Sequence, residues 1–363
     1  MLDFELDEEQ KMLVEAIGRY SEGQLRKVYR DADEEGVIPA DVARAGWEFG
    51  ILPTGIPESY GGFGEYSTVT GALAMEAFAY GDLAIALEVG VPGLVALPVL
   101  MAGTEEQKAT YLPSFCAEAP PNVSAALIEP SVQFDPRDLE TTAVKEGGEY
   151  VLNGRKSLVP LAETAEVFLI YAGVDGSTQA FLTPSDTPGL QVGGREKLMG
   201  IRALPTYPLM LEDCRVPSTA RLGEDAGINF DVILNHSRVA LGAAAVGLAK
   251  AGYEYARDYA KERVQFGEPI AHRQSIAFML AEMAIEVDAA RLMVWEAAWK
   301  LDRNEDATAE TTVMKYYVDD MVLQVADRAL QILGGYGYIR EYPVELWLRN
   351  ARGFATFDGL AMV

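Results

Sequence analysis

The sequence is poor in cysteine: its 363 residues contain two, Cys116 and Cys214. They lie far apart and in no metal-ligand spacing, which argues against a disulfide framework or a zinc site. A reducing compartment, the cytoplasm, is therefore the expected location. Positive charge is also short, with 30 Lys and Arg against 55 Asp and Glu, a net charge of −25. A surface of that sign repels phosphate, so nucleic acid and anionic membranes are not expected as partners. Long hydrophobic runs are missing. The most membrane-like stretch, residues 89–103, is shorter than a span, and Pro92 and Pro98 interrupt it, so it reads as kinked, buried helix. The start, Met1-Leu-Asp-Phe-Glu-Leu-Asp, has neither a basic region nor an apolar core, and no secretory signal is expected from it. Internal repeats and low-complexity tracts are absent from the sequence.

What is present is a chain 49% hydrophobic and long enough for two or three packed units. Met12, Leu13, Ile17 and Tyr20 recur at helical spacing behind the acidic run Asp7-Glu8-Glu9, which suits a helix N-terminus. A second helix is expected over 41–49 with Trp47 inward, then a glycine-rich loop over 50–64, then helices over 69–119. From about residue 122 the pattern becomes short apolar segments between turn residues, at 149–154, 167–172, 179–183 and 207–211, which read as strands. Helical periodicity returns from about 229, with Asp302–Ala307 as a polar connection between long helices. The expected fold class is α+β, with a helical region over 1–121, a β region over 122–226 and a helical bundle over 227–363.

The C-terminal half carries the specific motifs. Arg263-Val-Gln265-Phe266-Gly-Glu-Pro-Ile270 is followed by Gln274, and Gln331-Ile-Leu-Gly334-Gly335-Tyr-Gly-Tyr338 by Glu341-Tyr-Pro-Val-Glu345 and Arg349-Asn-Ala351. Earlier come Ile56-Pro-Glu-Ser-Tyr-Gly-Gly62 and Gly200-Ile-Arg-Ala-Leu-Pro-Thr206. Taken singly, an Arg near a helix end is a surface charge, a Phe beside Gly is packing, and Gly-Gly is a helix cap. In this order and spacing they resemble the FAD-dependent acyl-CoA dehydrogenases over nearly the whole chain. The resemblance implies a helical N-terminal domain, a β-barrel-like middle domain and a C-terminal four-helix bundle. It also implies FAD, an acyl-CoA substrate, an electron-transfer flavoprotein as acceptor, and a tetramer. In that family a neighbouring subunit supplies the motifs that here contain Arg263, Gln265, Phe266, Gln331, Gly334 and Gly335. Arg263 suits pyrophosphate through its fork of donors, and the glycine pair admits a close dinucleotide.

The same resemblance points to Asp358 as the base that takes the α-proton of the thioester. Here Phe357-Asp358-Gly359-Leu360 stands where the family has Tyr-Glu-Gly-Thr, so the carboxylate is one methylene shorter, and reach matters to a general base. Some members carry the base just before the Arg matched by Arg238. Those positions are Asn235, His236 and Ser237 and hold no carboxylate, and His236 is expected as a surface or capping residue. Arg238, Asn235 and Asp135 are the implied substrate-side residues, Glu129 and Leu158 the implied flavin-side ones. The loop Ile128-Glu-Pro-Ser-Val-Gln-Phe-Asp135 has lost its small centre, Leu158-Val-Pro160 replaces Trp-Ile-Thr, and the sequence stops at Val363, short of the family's continuation. Pro160 has no hydroxyl and no N–H to offer a flavin. Two assemblies follow: an active homotetramer using Asp358, or an α2β2 heterotetramer in which this chain completes the FAD site of a homologous partner.

Overall fold

The computed structural model describes residues 5–363; the reading of the first residues as free of a signal bears partly on 1–4, outside the described residues. Among the described residues eight α-helices come first: α1 (Glu8–Tyr20), α2 (Arg26–Glu35), α3 (Ala40–Trp47), α4 (Ile51–Gly55), α5 (Thr68–Gly81), α6 (Leu83–Gly90), α7 (Gly93–Ala102) and α8 (Glu105–Tyr111). Strands β1 (Val123–Ala126), β2 (Thr142–Glu146), β3 (Glu149–Pro160), β4 (Val167–Val174), β5 (Ser177–Pro184), β6 (Leu190–Val192) and β7 (Thr206–Pro217) follow. The last part holds α9 (Phe230–Glu262), the short pair β8 (Val264–Gln265) and β9 (Glu268–Pro269), α10 (Gln274–Asp302), α11 (Thr308–Leu333) and α12 (Val344–Ala351).

Local chemistry explains the boundaries. Asp7 caps α1 in a reciprocal capping box with Gln10. The apolar stretch around Pro92 and Pro98 forms α6 and α7, bent by 42° to one another and buried. Strands β1 to β7 make one curled sheet in the order β1-β4-β2-β3-β7-β6, with β5 paired to β4. Its long β3–β7 ladder shifts register between Lys156 and Val159, and Leu158 sits there in the left-handed region at φ 55°.

Helix α9 is the axis of the molecule. Among the described residues it is the one helix long and apolar enough to cross a membrane, and it is buried against α5, α10 and α11. Its small residues allow that. A Cβ at Gly242 would meet Met314 on α11 and Val294 on α10, and one at Gly247 would strike the Glu76 carbonyl on α5. Gly247→Ala is therefore expected to force α5 outward and to cost about 1–3 kcal/mol, read as a lower denaturant midpoint. A polar knot joins the three regions. Ile201 N–H donates to Asn350 Oδ1 at 2.7 Å, Arg349 grips Asp33 at 2.7 Å and Glu345 at 2.8 Å, and Gly200 lies against the Arg349 carbonyl. Two of the sequence motifs thus meet as a structural junction.

Candidate functional site

Asp358 sits in a turn made possible by Gly359, whose φ is 70° and whose Cβ, if present, would lie 2.7 Å from Leu127. The turn is fastened to the start of α9. Gly359 N–H donates to Ser237 Oγ at 3.1 Å, and Arg238 lays two guanidinium nitrogens on the two Asp358 oxygens, each at 3.3 Å. Both side chains are mostly buried, at 11% and 14% exposure. On the other side, α11 contributes Lys315, which donates to Asp319 at 2.6 Å and to the Phe354 carbonyl at 2.9 Å. Burial pushes the Asp319 carboxyl up to about 6 against the pull of Lys315, and the Asp358 charge adds to the rise. Sequence reasoning missed Ser237, Lys315 and Asp319. Nothing in the spacing of α11 marks Lys315 and Asp319 apart from an ordinary i,i+4 surface pair.

The second group lies at the opposite end of α9. A cavity of about 410 Å³ is lined by Tyr259, Arg263, Gln265, Gly335 and Tyr336, among others. The β8–β9 hairpin carries Arg263 and Gln265 into it, and its turn places Phe266 in the left-handed region at φ 54° with the ring 94% exposed. Arg263 lies over the Tyr336 ring at 5.1 Å. Gly334 and Gly335 border open space, Gly334 at φ 59°, so main chain faces the cavity where side chains would fill it. Gln331 is exposed on the same helix end. From Arg238 to Arg263 the chain is α9 itself, and at about 1.5 Å per residue the two groups stand about 37 Å apart.

Several expected residues do other work. Glu129 is buried and spent: its carboxylate accepts from the Glu140 and Thr141 N–H groups at 2.7 and 2.8 Å and from Lys156 Nζ at 2.8 Å. It holds the loop to the sheet. Asn235 is buried between helices, donating to Thr308 at 3.1 Å and accepting from Thr311 at 2.7 Å, so it ties α9 to α11. His236 is not a surface or capping residue. It is buried with Nδ1 3.0 Å from the Tyr66 hydroxyl and 2.9 Å from the Val363 oxygen, and burial lowers it to about 4, so it is neutral near pH 7. Asp135 is exposed and accepts from the Arg137 N–H at 2.9 Å. Leu158 is half-buried, and its N–H already donates to Glu196 at 3.0 Å. Pro160 is buried and uses its carbonyl to accept from Ser124.

Three family models match: acyl-CoA dehydrogenase, N-terminal domain, over residues 7–119; middle domain, over 124–214; and C-terminal domain, over 230–362. The chain is 37% identical over 372 residues to probable acyl-CoA dehydrogenase YngJ of Bacillus subtilis, spanning 100% of this chain and 97% of that one. It is 34% identical to the caffeyl-CoA reductase–Etf complex subunit CarC of Acetobacterium woodii, over 98% of this chain and 96% of the other. Among solved structures, butyryl-CoA dehydrogenase from Megasphaera elsdenii superimposes with a TM-score of 0.89 at 31% identity, over 98% of this chain and 96% of that one.

Proposed function

The chain belongs to the acyl-CoA dehydrogenase family, and on that premise we propose that it is an FAD-dependent oxidoreductase acting on the CH–CH bond next to an acyl-CoA thioester. The product is the 2-enoyl-CoA, and an electron-transfer flavoprotein is the acceptor. Bound FAD supplies the hydride acceptor. The residues of this chain do the rest. Asp358 takes the α-proton, Ser237 fixes the turn that presents it, and Arg238 holds its carboxylate until substrate arrives. Phe266, Gln265, Arg263 and the glycine pair cradle the dinucleotide end.

The observation that carries this reading is the separation of the two groups along α9. A distance of about 37 Å of rigid helix is more than one flavin dinucleotide bridges, so the carboxylate and the cradle of one chain serve different flavins. That requires an assembly. Phe278, Ile285 and Leu292 recur every seven residues on α10, and they and Val313 and Tyr316 on α11 are exposed apolar side chains suited to a second copy. We read the working unit as a homotetramer in the cytoplasm.

Adding acyl-CoA thioesters without oxygen is expected to bleach the bound flavin, and failure with every acyl group tried would overturn the activity. Arg263→Ala removes charge-assisted hydrogen bonds worth about 1.5–3 kcal/mol, so flavin retention is expected to fall by at least tenfold. Unchanged flavin content would remove Arg263 from the cradle. The heterotetramer stands as a second reading because of Pro160 and Leu158: neither has a free N–H for a flavin ring on this chain's own sheet.

A further inference from the structure

Two cavities meet at one side chain. The smaller, about 10 Å³, lies beside the Asp358 turn and is bounded by Ser237, Gly359, Tyr171, Leu94 and Met362. That is at most the room of one water, so no acyl group enters unless a wall moves. The larger, about 170 Å³, lies among the N-terminal helices and is lined by Trp47, Phe49, Phe78, Val89 and again Met362. An apolar cavity of about 150 Å³ takes a guest the size of benzene, so this space is worth several carbons of a chain.

The main chain around Met362 is pinned. The Val363 oxygen lies 2.9 Å from His236 Nδ1, the Val363 side chain packs where a Cβ on Gly71 would stand 2.8 Å away, and a Cβ on Gly93 of α7 would stand 3.4 Å from the Met362 carbonyl oxygen. Met362 is the one residue that lines both spaces, and what can move there is its side chain, which is unbranched and has three rotatable bonds.

We propose that Met362 is the floor of the acyl site and restricts the protein to short acyl thioesters, the larger cavity being the room its side chain closes off. A short acyl group fits by displacing the thioether within the smaller space. A longer one needs the passage that the thioether occupies. This inference rests on the acyl-CoA reading above, and it names the substrate class within it.

The test compares butyryl-CoA with octanoyl-CoA on the flavin-loaded protein, by kcat/KM and by calorimetric binding. Wild type is expected to favour butyryl-CoA. Met362→Ala is expected to shift the octanoyl-to-butyryl ratio of kcat/KM by tenfold or more, since each added methylene in an apolar pocket is worth about tenfold or better. Octanoyl-CoA binding tightens in parallel. Adding Val89→Phe to Met362→Ala refills the larger cavity and is expected to reverse the gain while butyryl-CoA turnover persists, which excludes a merely loosened fold. A wild type that uses both thioesters equally, or a ratio unmoved by Met362→Ala, overturns the proposal. Should no acyl-CoA bleach the flavin, the dehydrogenase reading falls, and the calorimetry still decides the gate: octanoyl-CoA binding unchanged by Met362→Ala refutes it, and tighter binding supports it.

Discussion

Asp358→Asn is expected to lower acyl-CoA oxidation by about 10²–10⁴-fold, the usual worth of a positioned general base, while flavin stays bound. The two side chains have nearly the same shape, so the turn through Gly359 and its bond to Ser237 survive. The amide has no site for the α-proton, and the loss falls on kcat. Arg238 keeps one oxygen to donate to in place of two. Asp358→Glu restores the methylene that the family's carboxylate carries and is expected to retain activity, which separates a missing base from a disturbed turn. Rapid mixing with acyl-CoA under anaerobic conditions reads both variants. Flavin reduction at the wild-type rate in the Asn variant would remove Asp358 as the base.

Glu129→Ala is expected to be the most destabilising single change near the site, at about 3–5 kcal/mol. Lys156 is 0% exposed and its partner carboxylate 2% exposed. Burial presses the ammonium toward its neutral form, to about 8, with Glu129 opposing that shift. Burial also works to raise the Glu129 carboxyl, but Lys156 and the Thr141 N–H outweigh it and hold the carboxyl below its ordinary value. Removing Glu129 strands a buried ammonium and leaves the Glu140 and Thr141 N–H groups without their acceptor. Lys156→Met is expected to cost less, because the remaining carboxylate keeps both N–H donors and the apolar side chain fills the space. Denaturant unfolding of the two variants side by side checks the order, and a larger loss for Lys156→Met would contradict the account of the pair.

Much of the fold was legible because period and punctuation are local. The apolar spacing behind Asp7 marks α1, the two prolines mark the bend between α6 and α7, and Asp302–Ala307 separates α10 from α11. The motif order was legible too, since Arg263, Gln265 and Gly335 meet at one cavity though they come from two elements. What was not legible depended on which way a side chain turns. Asn235 lies only three residues before Arg238, yet three residues along a helix do not decide whether an amide meets the site or the neighbouring α11. The resemblance put Glu129 on the flavin side through the family's loop at 128–135, while its partner Lys156 comes 27 residues later on β3 and no local pattern couples them. His236 looked exposed at a helix start because Tyr66 and Val363, which bury it, come from distant parts of the chain. Met362 carried no motif and gains meaning only as the wall between two cavities.

Copies of this one chain are expected to complete each other's flavin sites. The direct measurement is the ratio of flavin absorbance to protein for the chain expressed and purified alone, with its assembly size taken from the same sample by light scattering. The account predicts flavin equimolar with chain in a tetramer. A protein free of flavin when alone, which gains it only with a homologous partner chain, would contradict that and make this chain the completing half of its partner's site.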